Sequence, residues 1–487
     1  MTNDQVLWTA TDIMTAISCR ATCGAEDWIA HGVSIDTRTL EAGDVFFAIS
    51  GPNFDALEFV AQAFEKGAVA AVVTGDPGTA TSGAPLLIVK DVTVALQELA
   101  VAARSRLQGK VVAVTGSVGK TGTKEMLRLA LGALGRTAVN VGNLNNHLGL
   151  PLSLCRIPAD TEYTVVEMGM NHPEEIRPLA KIARPHVAVI TAIEPVHMEF
   201  FPSVSAIADA KAEIFDGVET GGVAVINHAN AYFDHLATAA RRAGIETVVG
   251  FGQDDEATVQ LVNVVMTATD STVAAIVDGE AIHFRIGAPG LHIVTNSLAV
   301  LGVVKALGGD LQRAADTLEA FAPMKGRGQL VSLHLAGGPA LLIDESYNAS
   351  PASMRAAMAV AGRSNLGQNG RRIAVLGDML ELGDTASDEH RSLVEPLQEH
   401  SFNLVFTAGQ YTQRLWDVLP EDMRGGHSIS PDKLAMVVSN GVHGGDVIMV
   451  KGSLGSRIGV VVEALRALEQ PLSNEGSHVP CNAANGN

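Results

Sequence analysis

The chain has 487 residues, enough for about three domains at roughly 150 residues each. Lysine and arginine total 34 against 53 aspartates and glutamates, and the resulting net charge of −19 excludes non-specific binding to nucleic acid or to an anionic membrane, since both need a basic surface. Hydrophobic residues make up 47% and charged residues 18%, a composition that builds buried cores and excludes a disordered chain.

From the N-terminus, the first twenty residues carry Asp4, Trp8, Asp12 and Arg20 with no basic-then-apolar leader, and no apolar run reaches the ~20 residues of a membrane helix. A cytoplasmic protein is expected. Cys19 and Cys23 lie four apart without a second pair or a nearby histidine to complete a zinc site, so the four cysteines read as reduced structural thiols.

Short β-branched runs then recur at Val111 to Thr115, Thr164 to Glu167, Val187 to Thr191, Val223 to Asn227, Leu341 to Asp344, Ile373 to Gly377, Leu404 to Ala408 and Val447 to Lys451. Runs this short, separated by helical patterns, predict buried parallel strands and an α/β fold. Between Thr258 and Ile286 the pattern changes to alternation, which predicts an antiparallel patch turning at Asp278-Gly279. Turn formers near Gln108 to Lys110 and Pro323 to Gly328 divide the chain into domains over 1–108, 109–324 and 325–470, and the second of these junctions is a hinge candidate. Residues 471–487, rich in asparagine, serine and glycine, read as a disordered tail.

The most informative stretch is Gly116-Ser117-Val118-Gly119-Lys120-Thr121, placed between a predicted strand and a helix with Met126, Leu127, Ala130 and Leu131 on one face. Glycines there let backbone N–H groups surround phosphate oxygens at a helix N-terminus, with Lys120 reaching the β- and γ-phosphates and Thr121 binding Mg²⁺. Two residues rather than the usual four separate Gly116 from Gly119. An ordinary strand–helix turn would also fit the motif, and a phosphate loop alone does not separate a ligase from a kinase or a regulator. Glu167 at a strand end, His197 beyond another and Lys211 in a helix each have a bland reading as surface or solvated groups.

Taken in this order, the loop, Glu167, His197 and Lys211 resemble the Mur ligase family of ATP-dependent amide-bond-forming enzymes. The resemblance implies three domains: a smaller N-terminal α/β domain for a UDP-linked substrate, a central P-loop-type parallel-sheet ATPase domain, and a Rossmann-like C-terminal α/β domain for the incoming amine. It also implies that Thr121, Glu167, His197 and a carbamate-modified Lys211 hold Mg²⁺ around the γ-phosphate. Ser34-Ile-Asp-Thr-Arg38 resembles the family's uridine motif with Thr37 in place of serine, so Ser34 and Arg38 are expected at the substrate. Gly142-Asn143-Leu144-Asn145-Asn146 resembles the segment that meets the sugar and peptide, which selects Asn143, Asn145 and Asn146, and Glu167 to His172 resembles E-x-G-x-N-H. Gly290 to Asn296 resembles the adenine segment, with Ile293 a departure and Asn296 kept as a nucleotide contact. Lys325-Gly326-Arg327 makes Arg327 the expected cation for the transferred phosphoryl group, beside His197, Lys120 and Lys211 as catalytic groups.

Asp344-Glu-Ser-Tyr347-Asn348-Ala-Ser350-Pro351 is the sharpest marker for a branch of that family, with Glu345 and Ser350 as departures. It implies nucleotide contact at Asp344 and substrate contact at Tyr347, Asn348 and Lys451, although a strand followed by a capped helix would read the same way. The implied reaction is coupling of D-alanyl-D-alanine to UDP-N-acetylmuramoyl-tripeptide through an acyl phosphate, by a monomer using ATP and Mg²⁺. A base for the amine is expected near His292 or Asp344. Another Mur step, a folylpolyglutamate-type ligase, or a P-loop kinase or nucleotide-binding regulator remain the alternatives.

Overall fold

The β-branched runs of the central region become one nine-stranded sheet in the computed structural model of the chain. The structure describes residues 5–469 except 23, 25, 26, 76, 77, 79, 80, 82, 141 and 143. The tail at 471–487, the contact at Asn143 and the reading of Cys23 and Cys481 as structural thiols lie outside the described residues. The sheet runs Glu280–Ile286, Ser271–Val277, Val259–Met266, Thr247–Gly252, Val223–Asn227, Val187–Ile190, Lys110–Thr115, Tyr163–Glu167 and Thr137–Val139. Successive side chains of Lys110–Thr115 alternate between cores: Val111 and Ala113 enter one, Val112 and Val114 the other, so both faces are buried and the run reads as continuously apolar.

Pairing is parallel from Val259–Met266 to Thr137–Val139. The predicted antiparallel patch forms with its turn at Asp278 and Gly279, both at positive φ, but it continues the central sheet because Val259–Met266 pairs in parallel with Thr247–Gly252. From Lys110–Thr115 the chain moves first to Thr137–Val139, returns to Tyr163–Glu167 on that same side, and then crosses to Val187–Ile190 on the other. Strand order therefore reverses about this strand, and it is outside the carboxyl end of such a strand that open α/β sheets bind their ligands.

Ahead of it, Arg20–Ala21, Leu86–Ile88, Ala70–Val73, Asp44–Phe47 and Gly32–Ser34 form a five-stranded sheet, parallel except at the Arg20 edge. Trp8, Ile13, Leu96 and Leu99 share one core with Val111, Leu150 and Ile176. Across residue 108 the sheet changes while the packing stays continuous. Residues 1–322 with 381–383 make one compact unit, and 323–380 with 384–487 make the other.

The second unit holds a six-stranded sheet in the order Gln329–Leu335, Gly338–Glu345, Val447–Lys451, Arg372–Gly377, Leu404–Ala408 and Arg424–Ser428. The first pair is antiparallel and the others parallel. The fold is α/β, with parallel pairing dominant in all three large sheets. Among the described residues no helix is long and apolar enough to cross a membrane.

Candidate active site

At the end of Lys110–Thr115 the chain turns through Gly116 to Gly119 into the helix Lys120–Gly132. Both glycines are required by geometry. Gly116 has φ +148, and a Cβ there would meet Thr191 Oγ1 at 2.0 Å; Gly119 has φ +85, and its Cβ would meet Asn296 Nδ2 at 2.6 Å. The same approach puts Asn296, from the helix Leu291–Ala306, against the phosphate loop. Thr191 Oγ1 donates to the Val118 carbonyl at 2.5 Å, while Ser117 Oγ donates to the Glu194 carbonyl and accepts from the Glu194 N–H. The Ser117 hydroxyl thus braces the loop against the next strand's exit. Lys120 Nζ donates to the Gly116 carbonyl at 2.6 Å.

Glu167 ends the neighbouring strand and is buried. Its carboxylate accepts from Thr121 Oγ1 at 2.9 Å through one oxygen and from Asn145 Nδ2 at 2.8 Å through the other. Its own N–H donates to Asn140 Oδ1 at 2.9 Å. Thr121, Asn145 and Glu167 are brought together although 46 residues separate the outer two.

Lys211 is 1% exposed on the helix Val204–Ala212. Burial, then the charge of Lys120, drive its ammonium well below the usual lysine range, so the amine is held toward its neutral form. His197 has φ +56, and its Nδ1 meets the Glu381 carboxylate, whose acidity that hydrogen bond strengthens. Glu381 in Gly377 to Gly383 was the partner that residue types did not point to. Among the described residues no group of three or more histidine, cysteine, aspartate or glutamate side chains is gathered for a metal.

Two further expected substrate residues bond to the backbone beside them. Asn146 Oδ1 accepts from the N–H groups of Leu148 and Gly149, shaping the start of the helix Gly149–Cys155. Ser34 is fully buried and bonds the backbone of Asp36 at both its N–H and its carbonyl. Arg38 projects into solvent and forks onto Asp36, holding that carboxyl below the usual range.

In the second unit, Asp344 is fully buried, accepting from Gly326 N–H at 3.1 Å, Ser346 N–H at 3.1 Å and Ser346 Oγ at 2.6 Å. These bonds shape the turn that carries Arg327 and leave Asp344 no exposed face with which to take a proton from an amine. The Arg327 guanidinium lies 4.1 Å over the Tyr347 ring. Lys451, also buried, pairs with Glu345 Oε2 at 3.0 Å and donates to the Asn348 carbonyl at 3.0 Å. Glu345, one of the two departures in its motif, is thus the counter-charge of Lys451. Ser350, the other, caps the helix Pro351–Arg363 reciprocally with Ser353.

Three family models match in succession: the Mur ligase family catalytic domain over residues 29–104, the Mur ligase middle domain over 114–304, and the Mur ligase glutamate ligase domain over 326–454. The UDP-N-acetylmuramoyl-tripeptide–D-alanyl-D-alanine ligase of Bacillus subtilis (strain 168) is 33% identical, the alignment covering 92% of this chain and 95% of that one. Among solved structures, a MurF from Acinetobacter baumannii superposes with a TM-score of 0.82 at 29% identity, covering 94% of this chain and 99% of the other. The MurF ligase of Thermotoga maritima in complex with ADP gives 0.74 at 26% identity, over 90% and 97%. A phosphate loop at the switch point, Glu167 beside Thr121 and similarity over the full length of such relatives lead to one conclusion: the chain belongs to the Mur ligase family.

Proposed function

We propose that this protein couples D-alanyl-D-alanine to UDP-N-acetylmuramoyl-tripeptide at the expense of ATP, in peptidoglycan precursor synthesis, as a cytoplasmic monomer. The observation that carries the reading is the junction of Thr121, Glu167 and Asn145 beside the phosphate loop. It joins groups suited to a nucleotide to a segment expected at the UDP-linked substrate. Full-length similarity to the Bacillus subtilis ligase supports the choice of substrates.

The chemistry suits the arrangement. A carboxylate resists attack by an amine because oxide would have to leave. Transfer of the γ-phosphoryl group forms a bond between a carboxylate oxygen and phosphorus and releases ADP. The amine then attacks the acyl carbon, loses its proton, and the tetrahedral intermediate collapses by expelling phosphate. Lys120 and the helix N-terminus offset the charge gathering between phosphate and carboxylate.

The donor set fits Mg²⁺. The Thr121 hydroxyl and the Glu167 carboxylate are hard oxygen donors 2.9 Å apart, and this buried carboxylate is met by a hydroxyl and an amide, both neutral. A bound Mg²⁺ would neutralise phosphate charge. His197 would join through the nitrogen not turned to Glu381. Lys211 suits carbamate formation because a neutral amine can attack CO₂, making an N–C bond and releasing a proton, whereas an ammonium cannot.

Phosphate release and product mass with D-alanyl-D-alanine, compared with single amino acids, test the reading. The amide product and faster release with the dipeptide are expected. Faster release with a single amino acid overturns the substrate, and absence of any amide overturns the ligase.

A further inference from the structure

Lys124 follows Lys120 by one helical turn and is 0% exposed, yet it takes no part in the roles described above. In a helix whose neighbouring turns carry Met126, Leu127 and Leu131, an apolar residue would fill that space without the penalty of burying an ammonium. Its Nζ instead donates to the Asn140 carbonyl at 2.8 Å and to the Gly142 carbonyl at 3.1 Å, with Glu125 at 3.6 Å.

Those two carbonyls belong to the segment that carries Asn145. Asn140, itself buried, bridges the Leu144 carbonyl and the Glu167 N–H through its side chain. The Asn145 carbonyl accepts from Gly169 N–H at 2.8 Å, and its amide reaches Glu167. Glu167 returns to Thr121, three residues from Lys124 on the phosphate helix. The circuit is closed: helix, Lys124, Asn140, Glu167, Thr121, helix.

We propose that Lys124 is a positioning residue that ties Asn140 and Gly142 to the phosphate helix, and so sets Asn145 for the UDP-linked substrate. The inference rests on the ligase reading above, because Asn145 meets that substrate only if the reading holds. Its role is indirect, exerted through the two carbonyls. Removing its charge frees the segment at one end while Lys120, Thr121 and the glycines of the loop keep their places.

The test compares wild type with Lys124→Met. ADP affinity by calorimetry reports the phosphate loop, KM and kcat for UDP-N-acetylmuramoyl-tripeptide report the segment, and thermal melting reports folding. The expected result is a KM raised about tenfold with ADP affinity changed less than about twofold, the signature of lost substrate binding alone. In the Lys124→Met/Asn145→Ala double variant KM should rise no further than in the worse single, because both lie on one path. An unchanged KM, a parallel loss of ADP and substrate affinity, or additive single effects overturn the proposal. Should Lys124→Met not fold, Asn140→Ala cuts the same circuit at its next link and must show the same split. A wild type that yields no amide removes the ligase reading together with this inference, whereas a competent wild type whose variants show no split removes the inference alone.

Discussion

Each unit buries a lysine near the carboxyl ends of its parallel strands, and the two are treated in opposite ways. Around Lys211 the neighbour that matters is another cation, Lys120, so burial is uncompensated and the amine is pressed toward neutrality. Nearby Glu167 meets neutral donors. Around Lys451, Glu345 supplies the opposite charge at 3.0 Å and the Asn348 carbonyl a second acceptor. The first region keeps charges that a ligand must balance. The second balances its own, and builds a scaffold that presents Arg327 over Tyr347. A buried polar group left unsettled points to chemistry, and a settled one to architecture.

That contrast can be broken. Lys211→Met should reduce ligase turnover by about 10²–10³-fold, the scale of losing one group that stabilises charge at a reacting centre, with short-chain carboxylic acids restoring part of it. The same variant should melt at a higher temperature than wild type in CO₂-free buffer. Because the folded pKa of Lys211 is depressed, the unfolded chain binds the extra proton between that pKa and the usual lysine value. Wild-type stability therefore rises with pH across this window, and the melting gap should narrow as pH rises. A variant that is active, or less stable throughout, would place Lys211 with the settled lysines.

A smaller effect, in stability rather than rate, is expected at the other lysine. Lys451→Met strands the Glu345 carboxylate and should lower stability by about 3 kcal/mol in chemical denaturation, as for a buried pair cut on one side. Lys451→Met with Glu345→Gln should recover part of it. Full stability in the single variant would show that the pair is not structural. The smallest change is Ser350→Ala, which removes a helix cap and should cost about 1 kcal/mol with no change in ADP affinity by calorimetry.

Much of the site was legible because its signal is local. A strand, two glycines and an amphipathic helix in immediate succession admit few structures, and the clashes at Gly116 and Gly119 show why no other residue would serve. The antiparallel patch was legible for the same reason, since alternation and an Asp-Gly turn are neighbours in the chain. The strands Thr137–Val139 and Gln329–Leu335 were not, because polar residues interrupt them and most of their side chains are only partly buried. Asn146 and Ser34 show the limit at single residues. A polar side chain in a binding-type motif can equally shape its own backbone, and only its partners separate the two.

By itself the sequence determined the α/β class, the phosphate loop and the order of the charged residues along the chain, because strand and helix periodicity and glycine stereochemistry act over a few residues. The tertiary structure decided which of those residues meet. Thr121 reaches Glu167 because parallel pairing aligns adjacent strand ends, and the buried Lys124 is met by the carbonyls of Asn140 and Gly142. Burial and the neighbouring Lys120 also push the Lys211 ammonium well below the usual lysine range. Solvation and charge proximity depend on neighbours in space, and chain order alone does not contain them.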